Sequence, residues 1–500
     1  MTTKLSIAQE LTKYLETVQK TVADTLRPAL TDDTSKRQAD AVLLILGRVI
    51  QRLGPDGARV ALKHLPEIDS LGQDFDQKSS TAMGSSSQSG PRAALEQAMD
   101  ALQTKFSSQS GITNSQFLSE GGSEESDWFR RSCKAVLHLW DEIEDGIPAT
   151  EKNNILEKPV NDSDETRQKL ELYLRTLHPS LPEGLIKEFK LYYGGYVKQM
   201  AKLTLVENTI FPTTIVLRRD MAMAMTQTRT FDEFSIVKRV YDLGLPVPKP
   251  LLAEDDTSVL GGTFMLMEEI PNAEPAGSYF EKERAVEPVV IGPTFGLEVA
   301  KMMATLHKKT AVASPDLEKT KSNREQLLSQ LSQMKIDWES MDKPPMSLSV
   351  DLALHILLER PLPLERPHCL VHADCGMHNF LVRDKKLAAV IDWELSHMGD
   401  PAEDLAMIRM MVAGDVIDWD DYVTAYLKHG GDPQACDPDA IAYYSILLFT
   451  QHTIGASRLR APYFAGQSDN AVSASVLTYS LERLMQYQSK AINLAMELNT

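Results

Sequence analysis

Cysteine is scarce in this chain, with 4 among 500 residues. Cys133, Cys369, Cys375 and Cys436 show no C-x-x-C spacing, which argues against a disulfide scaffold or a thiolate pair. They read as free thiols of a reducing compartment, so the expectation is a cytoplasmic protein. Long apolar runs are missing too, and no stretch approaches the length of a membrane span. The first residues, Met-Thr-Thr-Lys-Leu-Ser, lack the apolar core of a signal peptide. The first forty residues mix Asp, Glu and Lys, unlike a transit peptide. Positive charge is in deficit: the formal net charge is −18, which argues against nucleic acid or an anionic membrane as partner. There is no internal repeat.

What is present is enough apolar residue, 43%, to bury more than one core, which predicts about two or three domains. The most informative stretch is His372-Ala373-Asp374-Cys375-Gly376-Met377-His378-Asn379, followed by Ile391-Asp392-Trp393-Glu394. Between them lies a hairpin pattern. Phe380-Leu381-Val382 is apolar, Arg383-Asp384-Lys385-Lys386 is a charged turn, and Leu387 to Ile391 reads as a buried strand. Folding at that turn brings Asn379 beside Asp392. An amide oxygen and a carboxylate at a hairpin mouth suit Mg²⁺, a hard cation that prefers oxygen donors. Asp374, in the loop leading into the hairpin, is placed to orient or deprotonate a hydroxyl. A metal clamp beside a positioned carboxylate is what phosphoryl transfer needs. The competing reading, two aspartates that merely cap turns, does not account for the Asp-Asn-Asp separations together with the hairpin. A zinc hydrolase built on His372, His378 and Asp374 is disfavoured, because the histidines lack the i, i+4 helical spacing.

The motif, with Gly399-Asp400-Pro401-Ala402-Glu403-Asp404-Leu405-Ala406 after it, resembles the aminoglycoside phosphotransferase and choline kinase family. Its wording is most similar to the branch containing the kinase domains of acyl-CoA dehydrogenases 10 and 11. The resemblance runs from Asp164 to the end of the chain. It implies an α+β, bilobal protein-kinase-like fold, preceded here by a small all-α domain. One departure is Ala373, where the family usually has Gly. The resemblance implies ATP as phosphoryl donor with Mg²⁺, Asp374 as catalytic carboxylate, and Asn379 and Asp392 as metal ligands. It also implies that Asp404 braces the catalytic loop, with Asp400 structural. The stretch from Gly399 to Ala406 reads as the start of a helix with acidic residues at its amino end, where the dipole favours them.

In chain order, 1–146 reads as an all-helical domain, with apolar stripes over Leu5 to Leu30 and from Thr34 to Leu53, and two Ser/Gly-rich loops. A homo-oligomer through these helices is one expectation. Residues 147–163 read as a linker. The amino lobe is expected over 164–270. It opens with a helix from Glu165 to Leu177, then a strand Ile186 to Tyr193, Gly194-Gly195, and a strand Met200 to Val206. Paired glycines between strands let backbone amides approach phosphate oxygens. Thr214-Ile215-Val216-Leu217-Arg218-Arg219 is a β-branched run ending in cations. The resemblance selects Arg218 as phosphate ligand, with Arg219 the fallback. It makes Glu233, on the helix from Thr230, the partner of that cation. It makes Met267, Glu268 and Glu269 the hinge whose main chain meets adenine.

The carboxy lobe is expected over 271–500, with a helix from Leu297 to His307 and a helical acceptor-binding region. His307 reads as a capping or core histidine. Trp338, Met341 and Met346 are candidate pocket residues for which core packing is the simpler role. Arg458, Arg460 and Tyr463 face either an anionic acceptor or acidic surface. The function expected is transfer of phosphate from ATP to a hydroxyl of a small molecule. The resemblance implies a hydroxylated catabolic intermediate such as a hydroxyacyl thioester. The alternatives are an aminoglycoside or macrolide acceptor, and a catalytically silent kinase-fold scaffold.

Overall fold

The computed structural model describes residues 163–192, 198–220, 228–277, 288–311, 323–341, 343–344, 347–359, 366–413, 416–461 and 480–497, with isolated positions elsewhere. The all-helical domain expected over 1–146 and the Gly194-Gly195 pair lie outside these residues. So does the linker 147–163, apart from Ser163, which opens the first described helix. The chain divides into two compact units. One contains Glu157–Glu325 and Leu364–Tyr444; the other, as far as described residues go, contains Gln326–Pro363 and Ser445–Thr500.

The first unit begins with helix α1 (Ser163–Leu177), which carries Asp164 and Glu165 in its first turn and Arg175 in its last, as the helix dipole favours. Strands β1 (Ile186–Tyr192), β2 (Lys198–Leu205) and β3 (Thr214–Asp220) follow. Helix α2 (Thr230–Asp242), strand β4 (Pro250–Glu254), the short helix α3 (Thr257–Leu260) and strand β5 (Phe264–Glu268) complete a sheet of order β1-β2-β3-β5-β4. All its pairs are antiparallel.

Alternation along these strands gives the sheet two faces. Ala201, Leu203, Ile215, Leu217, Phe264 and Leu266 pack with Leu170 and Leu174 of α1. Val216, Met265 and Met267 point the other way, with Met200 and Phe234 against them. Gly262 is required at the α3–β5 turn, since a Cβ there would lie 2.6 Å from the Asp220 carbonyl oxygen.

Strand β6 (Glu274–Pro275) pairs with the hairpin of β8 (Phe380–Arg383) and β9 (Lys386–Val390). The hairpin turn has positive φ at both central residues, Asp384 (52°) and Lys385 (65°), the twist that two-residue turns between strands prefer. Helix α4 (Pro288–Ala311) is longer than the sequence periodicity predicts and breaks at Gly292, φ 55°, ahead of Pro293.

Past the helices α5 (Asn323–Ser340) and α6 (Leu348–Glu359), strand β7 (Cys369–Val371) pairs with β10 (His397–Gly399). The helix expected to start at Gly399 therefore starts later: α7 is Ala402–Met411. Gly399 belongs to the strand, and Asp400 accepts the Ala402 amide at 2.9 Å from just outside the helix. Helices α8 (Trp419–Lys428) and α9 (Pro438–Ser457) follow.

In the second unit α6 lies against α10 (Leu481–Glu497). Trp338 is buried and its Nε1–H donates to Asp351 at 3.0 Å, which is core packing. Arg458 is ion-paired with Asp337. Met346 and Tyr463 lie outside the described residues. Among the described residues no helix is long and apolar enough to cross a membrane.

Candidate active site

The loop that carries Asp374 is held from one buried carboxylate. Asp404, in the first turn of α7, accepts the amides of His372 (2.9 Å) and Ala373 (2.7 Å). It also bonds His307 Nε2 at 2.9 Å, and His307 Nδ1 meets the Tyr426 hydroxyl at 2.9 Å. Burial alone would raise the pKa of Asp404, but the His307 hydrogen bond and neighbouring charge outweigh it and hold the carboxyl below its ordinary value. His307 is thus a core histidine. The ring of His372 accepts the Asp374 amide on Nδ1 (3.2 Å), which assigns the proton to Nε2 and lets it donate to the Ile391 carbonyl at 2.9 Å. The Cys375 thiol is fully buried, and burial pushes its pKa well up, so it is a packing group of the loop and not a nucleophile.

Ala373 sits in this loop at φ 63°, left-handed backbone that glycine adopts without strain. Its methyl is buried with Cys369 and Val371. Ala373→Gly exchanges backbone strain for a lost methyl and a freer unfolded chain, so its stability should stay within about 1 kcal/mol of wild type. Ala373→Val adds a β-branch at the same φ and should lose about 1–3 kcal/mol. Urea denaturation of the two variants checks the ordering.

The hairpin joins the loop to Asp392. The Ile391 amide donates to the Asn379 carbonyl at 3.0 Å, so the residue after Ile391 emerges beside Asn379. Asn379 is buried, and its Nδ2 donates to the Asp374 carbonyl (3.0 Å) and to Asp374 Oδ2 (2.8 Å). Since a carboxylate only accepts, the amide cannot be flipped, and its oxygen is the group turned away from Asp374. Asp392 adopts φ 66° and keeps 31% of its side chain exposed, while the charged groups packed around it are buried. An amide oxygen and a partly exposed carboxylate make an oxygen-only donor pair, which fits a hard divalent cation. Among the described residues no group of three or more His, Cys, Asp or Glu forms a metal cage. His372 and His378 are engaged with the Ile391 carbonyl and Asp374, which does not suit the zinc reading.

Strand alternation sends Arg218 and Arg219 to opposite faces. Arg219 shares the α1 face with Ile215 and Leu217 and donates to the Leu260 carbonyl at 2.6 Å. Arg218 shares the other face with Val216. Its Nε donates to Glu233 at 2.9 Å, and one terminal nitrogen reaches Asp392 (2.5 Å) and Glu394 (3.2 Å). Burial works against the guanidinium charge, yet Asp392, Glu233 and Glu394 together raise its pKa further. Burial pushes the Glu394 carboxyl up to about 8, helped by repulsion from Asp392 and opposed by Arg218. Glu233 also accepts the Trp393 amide at 3.1 Å, tying α2 to the segment behind Asp392.

Two residues of this cluster are missing from the sequence reading. Lys198, directly opposite Asp220 in the β2–β3 register, is buried and binds Asp220 (2.6 Å) and the Thr228 carbonyl (2.6 Å). Asp220 in turn accepts the Thr230 amide (3.1 Å) and hydroxyl (2.7 Å), an anion at the amino end of the helix that carries Glu233. The strand begins at Lys198, not Met200. The available signal was alternation, since Lys198, Met200 and Lys202 face the same way as Val216 and Arg218.

At the hinge segment the Glu268 amide donates to the Lys249 carbonyl (2.9 Å) and the Glu269 amide to the Thr214 carbonyl (3.5 Å). Met267 is buried on the Arg218 face of the sheet. Glu269 pairs with Lys202 at 2.6 Å. The amides of Glu268 and Glu269 thus bond within the protein.

Such groups are suited to handle phosphate: a cation anchored on a helix carboxylate, next to an oxygen-donor pair and a braced aspartate. Residues 208–438 match the model described as "Phosphotransferase enzyme family" (APH). Among curated relatives, it is 28% identical over 180 residues to acyl-CoA dehydrogenase family member 11 of Mus musculus, covering 36% of this chain and 22% of that protein. The human member 11 is 27% identical over 236 residues, covering 45% of this chain and 28% of that protein. The mouse member 10 is 28% identical over 179 residues, 35% of this chain and 16% of that protein. The matches thus span only a minor part of these relatives' length. Among solved structures, a putative aminoglycoside phosphotransferase from Ralstonia eutropha has 16% identity and a TM-score of 0.45, covering 65% of this chain and 98% of that one. A macrolide 2′-phosphotransferase from Brachybacterium faecium has 17% identity and a TM-score of 0.40, covering 64% and 98%.

Proposed function

We propose that the protein transfers the γ-phosphoryl group of ATP to a hydroxyl of a small molecule, with Mg²⁺ as cofactor. The observation that supports this best is the junction at Asp392. One of its carboxylate oxygens meets Arg218, the cation that Glu233 anchors, while the amide of the preceding residue, Ile391, donates to the carbonyl of Asn379, which clasps Asp374. In this reading Arg218 contacts donor phosphates, and Asn379 and Asp392 hold the metal, which supplies neutralising charge to the phosphates when bound. Asp374 takes the proton of the acceptor hydroxyl as its oxygen bonds to the γ-phosphorus and the bond to the β,γ-bridging oxygen breaks, releasing ADP. Val216, Met265 and Met267 offer an apolar surface for the base. The family resemblance assigns phosphate-binding amides to Gly194 and Gly195, which lie outside the described residues.

An acceptor from acyl-CoA chemistry is supported by the names of the relatives, acyl-CoA dehydrogenase family members 11 and 10. A hydroxyacyl thioester is the reading we favour over an antibiotic. A silent scaffold would not need Asp374, Asn379 and Asp392 all to be kept. We further propose that the partner is this small molecule, not nucleic acid or membrane, and that the setting is cytoplasmic.

The test is thermal unfolding with AMP-PNP. Mg²⁺·AMP-PNP at about one hundred times its Kd should stabilise the protein by about 2.7 kcal/mol. Asp392→Asn should abolish the Mg²⁺-dependent part. No Mg²⁺-dependent shift in wild type would contradict the reading.

A further inference from the structure

Asp374 is held by more than Asn379. His378 occupies the turn Met377–Asn379, and its Nε2 lies 3.2 Å from Asp374 Oδ2. That is the oxygen which also receives Asn379 Nδ2 at 2.8 Å. Because a carboxylate only accepts, Nε2 carries the proton of this bond. The ring folds back over the loop through the space at Gly376, where a Cβ would lie 2.5 Å from His378 Cε1 and Nδ1. Both side chains are largely covered, with 22% of His378 and 13% of Asp374 exposed.

The terminal torsion of an aspartate is broad, so one hydrogen bond leaves the carboxylate plane free to pivot about the bonded oxygen. Two donors from different residues converging on Oδ2 remove that pivot. The plane is then fixed, and with it the direction in which the carboxylate meets an acceptor hydroxyl. Misplacement of a reacting group by about an ångström is enough to slow a reaction by about a hundredfold.

We infer that His378 is a positioning residue for phosphoryl transfer, orienting Asp374 by the hydrogen bond that its Nε2–H donates to Oδ2. This rests on the proposed function, in which Asp374 meets the acceptor. His378 acts only through Asp374, so its loss affects turnover and leaves nucleotide binding alone. A glutamine amide can reach Oδ2 as Nε2 does, whereas alanine cannot.

The experiment uses the full chain as wild type, His378→Ala and His378→Gln. Turnover is followed as ADP release from Mg²⁺·ATP with a short-chain 3-hydroxyacyl thioester as acceptor, and Mg²⁺·AMP-PNP binding is measured separately. His378→Ala should lower kcat by about ten- to a hundredfold. The KM for ATP and the AMP-PNP Kd should stay within about twofold of wild type. His378→Gln should recover most of kcat. Wild-type kcat in His378→Ala overturns the inference, as does parallel loss of binding and melting temperature, which marks a purely structural role. Failure of glutamine to rescue also overturns it, because the imidazole itself would then be required. These outcomes leave the phosphotransferase reading intact, whereas a wild type that neither binds AMP-PNP nor releases ADP removes that reading and the inference with it.

Discussion

Asp374→Asn is expected to lose phosphoryl transfer by about two to four orders of magnitude while binding Mg²⁺·ATP nearly as wild type. The substitution keeps the shape of the side chain. Its amide oxygen can still accept from Asn379 and His378, so the clasp on Oδ2 survives. What disappears is the negative charge and the basicity toward an acceptor hydroxyl. Binding should be spared because the contacts among Arg218, Glu233 and Asp392 do not run through the Asp374 side-chain charge, and Asn379 keeps its bond to the residue-374 carbonyl. Single-turnover kinetics and AMP-PNP binding on the same preparation check the prediction. Loss of binding would mean that Asp374 supports the metal ligands or the fold. Retained transfer would mean that another group, such as water or Glu394, takes the proton.

Arg218→Met is expected to destabilise the unit that carries it by about 3–5 kcal/mol at neutral pH. Only 7% of the Arg218 side chain is exposed, and Glu233, Asp392 and Glu394 all lie on it. Methionine fills similar volume but leaves these carboxylates facing one another, with Lys198, 4.0 Å from Glu394, as the remaining cation among the described residues. The deficit has a pH signature. In wild type, burial already raises the Glu233 carboxyl and pushes Glu394 up to about 8. Without Arg218 the carboxylates should bind protons still more readily in the folded than in the unfolded chain. Stability of the variant then rises as pH falls through those raised values, and the deficit against wild type shrinks toward pH 5. Arg218→Lys should restore part of the loss, since it returns the charge without the planar fork. Urea unfolding across pH checks this. A variant as stable as wild type at every pH would show that the cluster does not depend on the guanidinium.

Much of this site could be read from the chain because its logic is local. Apolar runs on each side of Arg383-Asp384-Lys385-Lys386 fix the hairpin, and the hairpin fixes Asn379 beside Ile391 and Asp392. The resemblance selects Arg218 over Arg219, and strand parity sends the two to opposite faces. Other features depend on contacts distant in sequence. Pairing of His397–Gly399 with Cys369–Val371 turns an apparent helix start at Gly399 into a strand. Strand β4 begins at Pro250 and is short, so it carries no periodic signal; its pairing with β5 creates it. Lys198 looks like a surface cation until Asp220 is placed opposite it. The left-handed backbone of Ala373 and the return of the His378 ring to Asp374 are loop geometry, which periodicity does not encode.

The most direct test is the fate of the γ-phosphorus of ATP, followed by phosphorus NMR with a panel of hydroxylated small molecules that includes hydroxyacyl thioesters. The account expects ATP to be converted to ADP with a new phosphomonoester resonance. That resonance should require Mg²⁺ and one acceptor class, and should be absent with Asp374→Asn. An ATP spectrum unchanged across the panel, from protein that also shows no Mg²⁺-dependent nucleotide binding, would contradict it.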